Sequence, residues 1–259
     1  MWLLVKMEWT EDGIVLSARR HGESSLVVSV LTRERGRNKG LARGGARRGR
    51  GALEPGTLVS AHWSARLSEH LGLWRIEAGT AYSAAMLDDP LRLACLEAAA
   101  DLGDSALPER HAYPSVYDGL LALLEALERD QAWAPMHLRW ELDLLAALGY
   151  GLDLAACAVS GATEDLAYVS PRTGRAVSAE AAAPYRDRLL ILPRLFGGTG
   201  RAEGWNETQD LLDGLALTGY FLERHIHHDA QIPLPGSRIR YIDRMTRLMA
   251  SSAGSSTQD

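Results

Sequence analysis

Apolar and polar positions alternate along the first third of this 259-residue chain, and a longer period follows. Residues 13–19 (GIVLSAR), 26–32 (LVVSVLT), 37–43 (RNKGLAR), 57–66 (TLVSAHWSAR) and 71–82 (LGLWRIEAGTAY) are β-branched or alternating. Turn residues such as His21-Gly22-Glu23 and Pro55-Gly56 separate them. A period of two places successive side chains on opposite faces of a strand, so these stretches predict five short strands. No helical repeat interrupts them. A small closed sheet, a five-stranded Greek-key barrel, is the economical arrangement, because closure removes exposed strand edges.

After Asp88-Asp89-Pro90 the period lengthens. Residues 90–102 open with an acidic cap and a proline in the first turn, a helix start. Leucines recur at 120, 121, 124 and 127 within 115–129, and at 138, 142, 145 and 148 within 135–148. Each set forms one apolar stripe, and Gly149 ends the second. Residues 207–227 carry Leu212, Leu215, Leu222 and Ile226 on one face. Residues 151–204, rich in Gly, Ala, Pro and Ser, read as an irregular insert. The terminal SSAGSSTQD is disordered by composition. The plan is therefore an α+β chain: a barrel domain over 7–85, a helical domain over 86–245 and a disordered tail over 246–259.

Charge sharpens this plan. The chain holds 28 Lys and Arg against 33 Asp and Glu, a net charge of −5. Residues 33–50 hold eight of those cations and one acid, Glu34, so +7 in that stretch leaves −12 elsewhere. Positive charge gathered against an acidic background makes a directed field suited to a polyanion. Arginine forks onto phosphate oxygens, and Gly36, Gly40, Gly44, Gly45, Gly49 and Gly51 let backbone N–H groups approach a phosphate. The candidate nucleic-acid ligands are Arg33, Arg35, Arg37, Lys39, Arg43, Arg47, Arg48 and Arg50; the alternative is a solvated loop. The stretch falls on strand three and the following turn, in a barrel type that commonly binds single strands. Trp63 and Trp74, on the next two strands, are candidates either for base stacking or for filling the barrel core.

Composition sets the outer bounds. Hydrophobic residues make up 46% and charged residues 24%, as in ordinary globular proteins. Cys95 and Cys157 make no disulfide framework, which fits a reducing compartment. The opening MWLLVKMEW is no signal peptide, and no apolar run approaches the roughly 18–20 residues of a membrane span. The expectation is a soluble cytoplasmic protein.

The stretch DGIVLSARRHGESSLVVSVLTRERGRNKGLARGGAR, followed by LEPGTLV, resembles the N-terminal barrel of the RecO family of recombination mediators. The matching features are a Gly-Ile-Val-Leu strand, a Gly-Glu-Ser turn, a Lys/Arg-Gly-Ala-Arg stretch and a Leu-x-Pro approach to the next strand. LRWELDLLAALGY resembles the family's helical-domain signature. The likeness runs from residue 7 to about 243, and residues 1–6 read as an upstream start-codon extension. It implies an OB-type barrel and a non-enzymatic, nucleoid-associated DNA repair protein. Such a protein binds single- and double-stranded DNA, anneals complementary strands, pairs with RecR and helps load recombinase. It also engages the acidic C-terminal tail of single-strand DNA-binding protein. Arg139 matches an arginine of the family motif, so Arg139 and Trp140 are candidates for that tail, against the alternative of a solvated helix.

Many relatives carry a four-cysteine zinc module after the Leu-Gly-Tyr helix. The corresponding segments here are CAVS at 157–160 and SAEA at 178–181, which keep one thiolate, and a structural zinc site needs four good ligands. The insert is a degenerate zinc-finger-like element, and no metal or other cofactor is expected. His225, His227 and His228 form a histidine-rich helix end without further ligands. No P-loop, HExxH or GxSxG signature is present, so no catalytic residue is assigned. An RNA-binding barrel protein of translation or RNA processing is the alternative, together with an enzyme that uses the barrel to hold substrate.

Overall fold

The computed structural model describes residues 7–43, 53–65, 71–199, 206–227 and 233–255. Five strands, β1 (Met7–His21), β2 (Ser25–Thr32), β3 (Gly36–Ala42), β4 (Thr57–Ala65) and β5 (Gly72–Ala81), close in the order β1-β2-β3-β5-β4. Four pairings are antiparallel, and β3 runs parallel to β5. This is the expected OB-type barrel.

Alternation decides what goes inside. On β4, Val59, Ala61, Trp63 and Ala65 are buried, whereas Ser60, His62 and Ser64 take the other face. On β5, Gly72, Trp74 and Ile76 are buried, and Leu73, Arg75 and Glu77 are exposed. Strand β3 pairs with β5 through its second half, Gly40–Ala42. Its first half meets the connector between α1 (Pro90–Ala106) and α2 (Pro114–Arg129). There Arg37 bridges Glu109 in parallel, and the Arg110 N–H donates to the Arg37 carbonyl at 2.8 Å. Gly36 holds φ +66°, and a Cβ there would collide with the His111 carbonyl. A Cβ on Gly40 would lie 2.7 Å from the Trp74 ring. These two glycines are required by packing, a different reason from the phosphate approach expected of them.

Helix α1 begins as anticipated, with Pro90 in its first turn and Asp89 accepting from the Leu91 and Arg92 N–H groups, both at 3.0 Å. Strands give way to helices near the expected 85/86. The chain nevertheless divides into compact units between Gln131 and Ala132, so α1 and α2 belong with the barrel. Asp104 on α1 explains this, since it accepts from Ser17 on β1 and pairs with Arg37 on β3.

The second unit contains α3 (Trp133–Ala147), a short α4 (Ala179–Ala182), α5 (Glu207–Leu222) and α6 (Gly236–Ser255). A π-helical turn, Glu223–His227, continues α5. The Arg238 guanidinium donates to both Glu141 carboxylate oxygens, at 2.7 and 2.9 Å, and to the Leu215 carbonyl at 2.8 Å. It thereby ties α6 to α3 and α5. Two expectations are corrected here. The insert is not wholly irregular: β6 (Leu166–Val169), β7 (Ala176–Ser178) and β8 (Leu190–Ile191) form a sheet in the order β7-β6-β8. Strands this short carry too few residues for alternation to register. The helical backbone also continues to Ser255, through residues read as a disordered tail. Buried Arg238, Tyr241 and Met245 anchor one face of α6, and a helix once nucleated propagates through Ser and Ala. Among the described residues, no helix is long and apolar enough to cross a membrane.

Candidate nucleic-acid interface

The basic stretch divides when its side chains are followed to their partners. Arg37 is buried: its Nε donates to the Leu107 carbonyl at 2.7 Å and its guanidinium to Asp104 at 3.2 Å. A guanidinium fastened in this way is a clasp between β3 and α1, which removes Arg37 from the candidate phosphate ligands. Arg33 is exposed but engaged, forking onto Asp118 at 2.9 and 3.0 Å and reaching Glu34 at 2.7 Å. The Asp118 hydrogen bond is the main reason its guanidinium holds its proton more tightly than usual. Lys39 lies 3.5 Å from Glu109. Arg35 and Arg43 are exposed. Arg47, Arg48 and Arg50 lie outside the described residues, as do Gly44, Gly45, Gly49 and Gly51.

Trp63 and Trp74 are barrel core, 2% and 6% exposed. Their indole N–H groups donate to the carbonyls of Lys39 at 3.2 Å and Val28 at 3.0 Å. Trp9 stacks on Trp63 with centroids 5.8 Å apart, and the Arg110 guanidinium lies 5.7 Å from the Trp63 ring. Burying an indole of about 200 Å² contributes on the order of 5 kcal/mol. Stacking on one base returns only about 1–3 kcal/mol. Turning either ring outward would be a net loss, so the stacking assignment fails for both.

In the second unit, Arg139 is 74% exposed and pairs with Asp143, one turn away, at 3.2 Å. Both line a cavity of about 620 Å³ whose walls include Met136, Leu142, Leu152, Leu195 and Phe196. Trp140, adjacent in sequence, points the other way and is buried beside His137. The apolar side of any notch beside Arg139 therefore comes from these neighbours, and Trp140 is corrected to a core residue.

Residues 7–78 match the model described as "Recombination protein O N terminal", and residues 87–231 match "Recombination protein O C terminal". The chain belongs to the RecO family. Members of this family act in DNA repair and recombination. A protein named "DNA repair protein RecO" from Rhodospirillum centenum is 49% identical over 95% of this chain and 98% of its own length. The protein of the same name from Rhodospirillum rubrum is also 49% identical, over 95% and 99%. That from Dinoroseobacter shibae is 44% identical, over 93% and 99%.

Within this RecO-family fold, the insert after α3 gathers two backbone N–H groups around one thiol. The Cys157 sulfur accepts the N–H groups of Ser160 at 3.5 Å and Ser178 at 3.3 Å. Burial raises this thiol, and the bonds from Ser160 and Ser178 outweigh it, bringing it down to about 6. Hydroxyls at 160 and 178 and a methyl at Ala181 are poor zinc ligands, so the residues do not fit the metal. Among the described residues, no group of three or more His, Cys, Asp or Glu could hold one. His225 stacks between Tyr150 at 4.7 Å and Phe221 at 6.0 Å, and His228 lies outside the described residues.

Proposed function

We propose that the chain is a non-enzymatic mediator of homologous recombination. It holds single- and double-stranded DNA on its barrel unit, anneals complementary strands and helps load recombinase onto DNA coated by single-strand DNA-binding protein. The observation that carries this reading is a cation cluster on an OB-type barrel: Arg33, Arg37 and Lys39 are engaged by Asp118, Asp104 and Glu109, and five further arginines of residues 33–50 remain as candidates for phosphate. Cations of this kind bind through phosphates and carry little base information. Annealing follows from the same chemistry, because two like-charged strands approach only when their repulsion is neutralised. Arg35, Arg43, Arg47, Arg48 and Arg50 are the proposed ligands. Pairing with RecR and a place beside the nucleoid in the cytoplasm come from family membership alone.

The acidic tail of single-strand DNA-binding protein is proposed to dock at the cavity beside Arg139. Such a tail presents carboxylates and an apolar end, which suit a cation flanked by Met136, Leu142 and Phe196. Arg139→Glu should abolish tail-peptide binding in a fluorescence anisotropy titration; unchanged affinity would reject the site.

Annealing of complementary strands coated with single-strand DNA-binding protein tests the whole reading. Changing Arg47, Arg48 and Arg50 to Ala should abolish annealing and flatten the log–log salt dependence of single-strand affinity by about two units. Normal annealing and slope in that variant would make the stretch a solvated loop. Preference for an RNA strand over its DNA match would favour the RNA-binding alternative.

A further inference from the structure

The outer wall of the barrel carries a groove of about 210 Å³ where β3, β5 and β4 run side by side. Leu73 on β5 is opposite Leu41 on β3 and Ser64 on β4, while Arg75 is opposite His62. Arg43 follows Ala42, the residue paired with Trp74, and so reaches the same row as Arg75. The His62 ring is steadied from β1 by Thr10, whose hydroxyl lies 2.9 Å from Nδ1. The groove thus has an apolar row, Leu41 and Leu73, beside a nitrogen-rich row, Arg43, Arg75 and His62.

Three features set it apart from a solvated patch. Among the described residues no carboxylate lines it; Glu8 and Glu77 share the face but stand outside the lining. Among the described residues, neither Arg43 nor Arg75 has a carboxylate within ion-pairing distance, unlike Arg33, Arg37 and Lys39. Leu73 is 41% exposed, an apolar side chain left open in the row beside Arg43 and Arg75.

We propose that this groove is a phosphate-and-base subsite for a single nucleic-acid strand. One phosphodiester sits between Arg43 and Arg75, and the adjoining base or sugar lies on Leu41 and Leu73. Adjacent strands are about 4.8 Å apart, close enough for two guanidinia to share one phosphate. The subsite rests on the nucleic-acid reading above, and it adds β4 and β5 residues that the basic stretch does not contain.

The test is oligothymidylate binding by the full chain across a salt series. Arg75→Ala should weaken affinity about fivefold at 0.1 M salt and flatten the log–log slope, and the Arg43→Ala/Arg75→Ala pair, which gives up the one shared phosphate, should flatten it by about 0.7 in all. Arg75→Gln should behave like Arg75→Ala, and Arg75→Lys should keep most of the slope. Leu73→Ser should weaken binding with the slope unchanged. Arg19→Ala, at an exposed position beyond the bulge in β1, should change neither quantity. Wild-type affinity and slope in both Arg75→Ala and Arg75→Gln would overturn the subsite, as would an equal loss from Arg19→Ala. Loss of binding in the Arg47/Arg48/Arg50 variant with normal Arg75 variants would remove the subsite and leave the wider reading standing. A wild-type chain that binds no oligothymidylate would remove both.

Discussion

Exposed arginines of the barrel unit and one buried arginine of the second unit are put to opposite uses. In the unit ending at Gln131, Arg35, Arg43 and Arg75 stand exposed on the barrel. In the unit beginning at Ala132, Arg238 is 3% exposed and closes on Glu141, which is fully buried. Residue type does not separate these cases. What separates them is whether another element brings a carboxylate and carbonyls over the guanidinium. Arg37 makes the point within the barrel unit, because it shares a strand face with Lys39 and Arg43 yet is covered by α1.

Breaking the inner pair should have the largest effect. Arg238→Ala leaves the Glu141 carboxylate buried without its counter-ion, an expected loss of about 3–5 kcal/mol in a denaturant melt. Replacing both residues by apolar ones of similar volume should recover most of it. A loss below about 1 kcal/mol from Arg238→Ala would mean that the pair is not what holds α6 to α3 and α5. Oligonucleotide affinity per folded molecule should stay unchanged.

Arg37→Ala sharpens the comparison inside one unit. It should lower stability by about 1.5–3 kcal/mol, the usual worth of hydrogen bonds to a charged group. The salt dependence of DNA binding should not move. A flattened slope in a folded Arg37→Ala protein would return Arg37 to the phosphate ligands and erase the division. Arg33→Ala, whose pairs lie on the surface, should leave the melt where it was.

The smallest effect is a pH slope. His137 is fully buried, with Tyr241 edge-on at 5.1 Å, Trp140 alongside and Glu141 3.7 Å away. Neither ring nitrogen has a hydrogen-bond partner among the described residues. Burial pushes His137 below its ordinary value, Glu141 opposes this and Arg238 adds to it. The unfolded chain takes up a proton near pH 6.5 and the folded chain only at lower pH. Stability from this residue is therefore complete above about pH 6.5 and declines as pH falls, by at most about 1.4 kcal/mol per pH unit. His137→Phe should remove that component, so melts at pH 7.5 and 5.5 should differ less than in the wild type. An unchanged difference would mean that His137 does not titrate on unfolding.

How much of this was legible in the sequence follows from where the information lies. Alternation drew all five barrel strands because each spans enough residues for inward and outward sets to separate. The same parity held the answer for Trp63, which shares its face of β4 with Val59, Ala61 and Ala65. It also marked Arg75 as outward, although the charge cluster drew attention elsewhere. Helix α6 was hidden by its polarity, with three buried anchors among many arginines and serines. Arg37 was illegible for another reason: its covering helix lies far along the chain, and no local pattern reports what packs above a strand.

The connector after α1 has a consequence for anyone wishing to work with the barrel alone. Because Glu109 and Arg110 form a backbone bridge to Arg37 in the first half of β3, a fragment ended at residue 85 would be an unfinished fold. It would bare the Arg37 carbonyl that accepts from Arg110 and strip the Arg37 side chain of Asp104 and Leu107. Unpaired strand backbone of that kind invites a second copy to fill the gap. The smallest portable piece extends through α2, to Gln131.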